Sequence, residues 1–289
     1  MKDMLTIVLR LTLSCLMAAT VMGAAFIVTD KAKKHNEHTR EERTMYGLLG
    51  YGERNPAPPT LALHHIYRYV ITDPGRQLIG YLLPTAAEGK AGYTLVSLDL
   101  EGRLAEQKTV VLDAGQSREK ESRDQAVQAA AGQGRGIRFA DHIIVVTDNG
   151  RRAAYLLGGK FPGFKTFINV MLALDHHYAA LGLEVLEHEE DPGLGAEIEK
   201  AYFKNQFKGR SFEVLKGLQV VKEPLPEPYR QALEGHLADA DVARIMNQFK
   251  DKNIYALTGA TISSRMLTDG VKGMAVKFAY RLDPLDRVL

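Results

Sequence analysis

A single cysteine, Cys15, occurs in the 289 residues, and it sits inside the most apolar stretch of the chain. No intramolecular disulfide can form, and iron–sulfur or zinc sites ligated by cysteine are excluded. A redox cofactor here is therefore organic or held by other ligands. An excess of one charge is missing too: 37 Lys and Arg stand against 35 Asp and Glu, a formal net charge of +2. Nucleic-acid binding needs concentrated positive charge, so nucleic acid is not an expected partner. No acid–base pair or nucleophile stands out, and no catalytic residue is assigned. What remains is ordinary globular usage, 45% hydrophobic and 25% charged, enough to bury a core.

Charge disappears altogether from Leu11 to Val28, and Met4 to Leu9 extend the apolar run backwards past Arg10. At about 1.5 Å per residue this segment is long enough to cross a bilayer. A cleaved secretory signal is the competing reading, with Lys2 and Arg10 as its basic end and Met22-Gly23-Ala24-Ala25 as small residues for cleavage. A lipoprotein signal fits less well, because Thr12-Leu13-Ser14 lacks an aliphatic residue three positions ahead of Cys15. Lys31, Lys33 and Lys34 after the span outnumber Lys2 and Arg10 before it, which by charge count puts the soluble part in the cytoplasm. Residues 1–30 are expected as a transmembrane anchor. Residues 31–60, polar and ending in Asn55-Pro56-Ala57-Pro58-Pro59-Thr60, are expected as an extended Pro-rich connector.

A folded domain is expected over residues 61–289. His64 to Val70, Leu78 to Leu83 and Tyr93 to Leu98 are β-prone runs separated by Asp73-Pro74-Gly75 and a Gly-rich patch at Glu88 to Gly92, and they read as antiparallel strands. Ser117 to Ala131 carries alanines at helical spacing, and His142 to Thr147 reads as a buried strand closed by the turn Asp148-Asn149-Gly150. An internal echo runs through this region. Gly80-Tyr81-Leu82-Leu83 followed by Gly92 to Asp99 resembles Ala154-Tyr155-Leu156-Leu157 followed by Gly163-Phe164 and Val170 to Asp175, which suggests a duplicated strand unit. Pro224 to Phe249 is helical in pattern, and a last helix is expected from about Ser264 to about Tyr280.

Two stretches carry chemistry. Leu257-Thr258-Gly259-Ala260-Thr261-Ile262-Ser263-Ser264 places four hydroxyl side chains just ahead of the last helix, where free N–H groups and the helix dipole favour a phosphate. Equally, Ser263 or Ser264 would serve as an ordinary helix cap with Gly259 making the turn. His188 to Gly195 (HEEDPGLG) is a rigid turn whose glycines permit close approach to the backbone. His188, Glu189, Glu190 and Asp191 suggest a metal site only weakly, since consecutive side chains diverge, and no metal is assigned. His64-His65 and His176-His177 read as surface or turn residues on the same ground.

Thr258-Gly259-Ala260-Thr261-Ile262-Ser263-Ser264 resembles the flavinylation motif of the FMN-binding family that includes the G subunit of the Rnf electron transport complex and the C subunit of the sodium-pumping NADH:quinone reductase. His188 to Gly195 is similar to that family's His-x-Glu-Thr-Pro-Gly-Leu-Gly turn, and Gln206-Phe207-Lys208-Gly209 to the segment that follows it. The continuation Ser264 to Val271 is closer to the Rnf G subunit. The resemblance implies an α+β fold, namely a single N-terminal transmembrane helix plus an FMN-binding domain of mixed strands and helices, with a helical insertion at about 224–251. It implies covalent FMN, attached by a flavin transferase as a phosphoester to Thr261. Thr258, Gly259, Ala260, Ser263 and Ser264 are then motif positions, and Glu190, Pro192, Gly193, Leu194 and Gly195 form the turn against the isoalloxazine. The implied role is an electron carrier among the membrane subunits of an Rnf-type ferredoxin:NAD complex. The soluble domain is implied to lie on the extracytoplasmic side of the cell membrane, with Lys31 to Lys34 pairing with Glu37, Glu41 and Glu42. The rival is a membrane-anchored structural or sensor protein without flavin. Two positions depart from the family: Tyr255 replaces an Asp, which bears on recognition by the transferase, and Asp191 replaces a Thr, which would add negative charge near the flavin and lower its reduction potential.

Overall fold

The computed structural model describes residues 2–73, 75–87 and 90–286. Pro74 and the patch residues Glu88 and Gly89 lie outside the described residues, as do the side chains of Lys31, Lys34 and Glu37.

Helix α1 (Lys2–Leu48) runs unbroken for 47 residues. Within it Thr6–Phe26, 21 residues, is long and apolar enough to span a membrane. Its hydroxyls are satisfied internally, as hydrocarbon surroundings require: Thr12 donates to Val8 O at 2.8 Å, Ser14 to Leu11 O at 2.9 Å and Thr20 to Leu16 O at 2.8 Å. As far as Leu48 the polar stretch after it is not extended, as the sequence suggested, but continues the same helix, and of the expected connector only residues 49–60, with the Pro-rich end, are non-helical. From Thr29 to Tyr46 there is neither Pro nor Gly, and Lys, Glu and Arg are good helix formers. Nothing stops the helix until Gly50, which takes a left-handed φ of +86°.

The folded unit is built on one sheet of eight antiparallel strands. They are β1 (Leu61–Asp73), β2 (Arg76–Ala87), β3 (Lys90–Leu98), β4 (Leu104–Val110), β5 (Gly136–Asp148), β6 (Arg151–Pro162), β7 (Phe167–Asp175) and β8 (Ala180–Glu187). Their spatial order, β4-β3-β2-β1-β5-β6-β7-β8, makes two four-stranded meanders joined where β1 pairs with β5. The expected strands fall inside β1, β2, β3 and β5. Asn149 and Gly150 both have positive φ, 49° and 73°, which is the twist a two-residue hairpin demands. The echo in the sequence coincides with the two meanders. Tyr81, Leu83, Val96 and Leu98 of the first correspond to Tyr155, Leu157, Leu172 and Leu174 of the second, and all eight belong to one buried core.

That core is closed by α8 (Thr261–Asp286), whose Leu267, Val271, Ala275, Phe278 and Leu282 form one apolar stripe. The two matching tyrosines both meet its far end: Tyr155 packs on Phe278 at 4.9 Å between ring centroids, and Tyr81 Oη donates to Arg281 O at 3.1 Å. The opposite face of the first meander, with Tyr69, Ile71, Leu78 and Leu95, is covered by Val127 and Ala131. These belong to α3 (Lys120–Ala131), which follows the short α2 (Ala114–Arg118). One helix was expected from Ser117. The break at Glu119 has a cause in buried Arg123, whose Nη1 takes Ser117 O at 2.8 Å while its Nε bonds Tyr69 Oη at 2.9 Å. His64 and His65 stand partly exposed inside β1, on the strand expected from His64 to Val70. His65 Nδ1 lies 3.0 Å from His142 Nε2, and Tyr67 stacks on His142 at 4.5 Å. His176 and His177 occupy the exposed β7–β8 turn, as expected.

Between β8 and α8 the chain forms short helices α4 (Ala201–Lys204) and α5 (Phe212–Gly217) and a helical pair, α6 (Glu227–Glu234) and α7 (Asp239–Phe249). The single helical pattern read from Pro224 to Phe249 is thus split, at Gly235 with φ +74°. A two-stranded parallel pair, β9 (Val220–Val221) with β10 (Ile254–Tyr255), brings the chain back.

Candidate functional site

The last helix starts at Thr261, three residues before the sequence suggested. Ser263 and Ser264 therefore lie inside its first turn, and neither caps it. Ser264 Oγ accepts from Leu257 N at 3.0 Å and donates to Ala260 O at 2.9 Å, holding the preceding loop. That loop turns at Gly259, whose φ is +77° and where a Cβ would come within 2.9 Å of Leu194 Cδ2. Thr258 is exposed, Ala260 buried and Thr261 partly exposed. Among the described residues no hydrogen bond reaches the amides of Thr261, Ile262 and Ser263. Three unbonded donors and the positive end of a 26-residue helix thus stand in the same turn as the Thr261 hydroxyl.

The turn before this site is tied to it by one carboxylate. Glu190 is only 5% exposed. Its Oε2 accepts from Ser263 Oγ at 2.5 Å, and its Oε1 accepts from Phe164 N at 2.7 Å and Lys165 N at 3.3 Å. Its own amide donates to His188 Nδ1 at 3.2 Å. Space around the carboxylate exists only because two neighbours are glycines. A Cβ at Gly195 would stand 2.6 Å from Glu190 Oε2 and 2.8 Å from Ser263 Oγ, and one at Gly163 would collide with Glu190 Oε1. Pro192 and Gly193, with φ +75° at Gly193, form the exposed bend. Asp191 forms an ion pair with Lys165.

The structure therefore brings Gly259 and Ser263 against Leu194, Glu190 and Gly195, while Thr258, Ala260, Thr261 and Ser264 lie on the same loop and first turn. It adds the β6–β7 hairpin, through Gly163, Phe164 and Lys165, which the sequence analysis noted only within the echo. The available signal was a Pro-Gly pair between two β-prone runs, common enough in any hairpin to pass unnoticed. Tyr255 lies on β10, six residues before Thr261. Its backbone is held by buried Gln206, with Tyr255 N donating to Gln206 Oε1 at 2.8 Å and Gln206 Nε2 to Tyr255 O at 3.2 Å. Its ring packs beside Tyr229 and Phe249, themselves stacked at 4.1 Å, so it is part of the seat of the α6–α7 pair. Buried Arg210 fixes the same pair by donating to Gln206 O at 2.8 Å and Lys250 O at 2.9 Å.

Glycine cradles, unbonded amides and a partly exposed threonine fit a phosphate joined to a flat ring system, and comparison with known proteins points the same way. Residues 163–275, from the β6–β7 hairpin into α8, match the FMN-binding domain family. The chain is 29% identical over 119 residues to the G subunit of the proton-translocating ferredoxin:NAD(+) oxidoreductase complex of Clostridium ljungdahlii, covering 41% of this chain and 50% of that protein. It thus spans about half the length of that curated relative. Among solved structures, it is similar to the C subunit of the Na(+)-translocating NADH-quinone reductase from Parabacteroides distasonis, with 21% identity, TM-score 0.31, and 46% of this chain and 58% of the other covered. It is also similar to the NqrC of Shewanella oneidensis, with 18% identity, TM-score 0.35 and coverages of 47% and 56%.

Proposed function

We propose that this chain is a membrane-anchored electron carrier that holds FMN through a phosphoester on Thr261 and works as one subunit of an Rnf-type complex passing electrons between ferredoxin and NAD. The observation that carries the reading is the first turn of α8. A partly exposed hydroxyl stands there beside the unbonded amides of Thr261, Ile262 and Ser263, within the segment that matches the FMN-binding domain. Those amides and the helix dipole stabilise the single negative charge of the phosphodiester, and Gly259 lets it approach the backbone. The flavin, when bound, supplies the acceptance and release of electrons, while the chain supplies position and environment. In this reading the turn from Glu190 to Gly195, with Leu194 on the loop at Gly259, faces the isoalloxazine.

Residues 61–289 serve as the flavin domain and 224–251 as its helical insertion. Thr6–Phe26 stays as the single membrane span, the domain faces the extracytoplasmic side, and a flavin transferase completes the site. Tyr255 does not argue against modification, because its ring belongs to the α6–α7 packing and leaves the loop from Thr258 to Thr261 open. Ultraviolet illumination of a denaturing gel of the full chain, expressed in membranes with an FMN transferase, tests the reading. A fluorescent band supports it, since only covalent flavin survives denaturation, and a dark band rejects it.

A further inference from the structure

The β6–β7 hairpin presents an unusual combination: its backbone is locked while its aromatic side chains stand in solvent. Phe164 is 57% exposed although its amide is held by Glu190 at 2.7 Å. On the other two elements that Glu190 and Ser263 join, Leu194, Ile262 and Met266 are also exposed. Scattered exposed apolar residues need no explanation, but these sit on three segments of chain tied together by one buried carboxylate. Phe167, on the same hairpin, has Lys160 over its ring at 5.0 Å and so has a partner already. Phe164 takes part in no ring contact or cation–π contact among the described residues.

We propose that the β6–β7 hairpin is a wall of the flavin seat, with Phe164 packing on the isoalloxazine and Glu190 as the positioning residue that aims it. The inference rests on the reading of the preceding subsection, that the phosphate is carried on Thr261. A single carboxylate separates the Phe164 amide from Ser263 Oγ, so the aromatic wall and the phosphate-bearing turn are held in fixed register. An isoalloxazine is a flat, largely apolar tricycle, the kind of surface that an exposed phenylalanine with a fixed backbone covers at low entropic cost. Gly163 is required by the same arrangement, since any side chain there would push Glu190 out of reach of both donors.

The test uses the full chain, expressed in membranes with an FMN transferase, and reads covalent label on a denaturing gel separately from quenching of native flavin fluorescence by iodide. In Phe164→Ala the label persists and the iodide quenching constant rises severalfold, because the flavin loses the side chain that shields one face from solvent. In Phe164→Trp the label also persists, but native flavin emission falls severalfold, because a stacked indole quenches flavin, and it returns on denaturation. Intact label with unchanged quenching in Phe164→Ala and undiminished emission in Phe164→Trp overturns the inference while leaving the Thr261 reading in place. A wild-type protein without label overturns that reading, and the inference with it. Should Phe164→Ala fail to accumulate, the Trp variant decides.

Discussion

Ser263 and Glu190, 73 residues apart in sequence, are joined by a hydrogen bond of 2.5 Å in the protein interior. Removing the hydroxyl leaves a buried carboxylate with backbone donors on one oxygen only, which costs about 1–3 kcal/mol. Ser263→Ala is therefore expected to lower the melting temperature of the detergent-solubilised chain, and Ser263→Ala with Glu190→Ala to cost less than the sum of the two. Strict additivity would show that the pair is not coupled.

Only one hydroxyl can carry a phosphoester. Thr261→Ala should abolish in-gel flavin fluorescence in a chain that still folds, whereas Thr258→Ala, on the exposed loop, should only weaken it. Equal bands from wild type and Thr261→Ala would remove Thr261 from the assignment.

The negative charge that Asp191 adds is not free, since Lys165 neutralises it and is itself shifted upward by the pairing. Asp191→Thr releases Lys165 and should raise the flavin midpoint potential, while Lys165→Met releases Asp191 and should lower it. Both partners are well exposed, so the two shifts should shrink as salt is added. Midpoints that ignore both substitutions at low salt would place the pair away from the flavin.

His142 is half-buried on β5 in the centre of the sheet, and desolvation, followed by His65 and the arginines at 123 and 118, pulls its pKa from 6.5 to about 3. A group whose pKa is depressed on folding stays neutral in the native state. Its contribution is complete above pH 6.5 and is lost as the pH falls toward about 3. Stability should decline across that window by at most about 1.4 kcal/mol per pH unit from this residue. His142→Phe should flatten the upper part of the decline, above the range where carboxylates titrate. An identical pH profile in thermal denaturation would rule His142 out as its source.

Tyr255→Asp restores the residue found in the resembling family but removes a ring from the Tyr229–Phe249 cluster. A loss of about 2 kcal/mol is expected, typical of a truncated aromatic that is only partly buried, with covalent labelling retained. Labelling that rises sharply in Tyr255→Asp would instead show that position 255 limits the transferase.

The sequence is most legible where local chemistry dictates structure. Asn149-Gly150 announces its hairpin, and the strands around Ile66, Leu82 and Val146 announce themselves by composition. The helix ends were harder. Ser263 and Ser264 look like caps in sequence, yet Ser264 bonds back to Leu257 and Ala260, a choice made by the fold of the preceding loop. Likewise the break at Glu119 depends on where Arg123 finds carbonyl partners, which no periodicity reveals. Of the site, Thr258 to Ser264 and Glu190 to Gly195 were readable as motifs. Phe164 and Lys165 were not, because what places them is a bond to a carboxylate more than twenty residues away.

The two meanders consist of neighbouring strands and can assemble from contacts close in sequence, but α8 follows every strand and lies across both of them, from Tyr155 to Tyr81. Its first turn meets Glu190 only after β6, β7 and β8 are paired, and its apolar stripe is buried only after β1 has found β5. Long-range closure of this kind comes late in folding. The Thr261 hydroxyl is therefore expected to reach its final surroundings late, and a modifying enzyme that required that geometry would leave unfinished chains unlabelled, so that a label there would be a record of completed biogenesis.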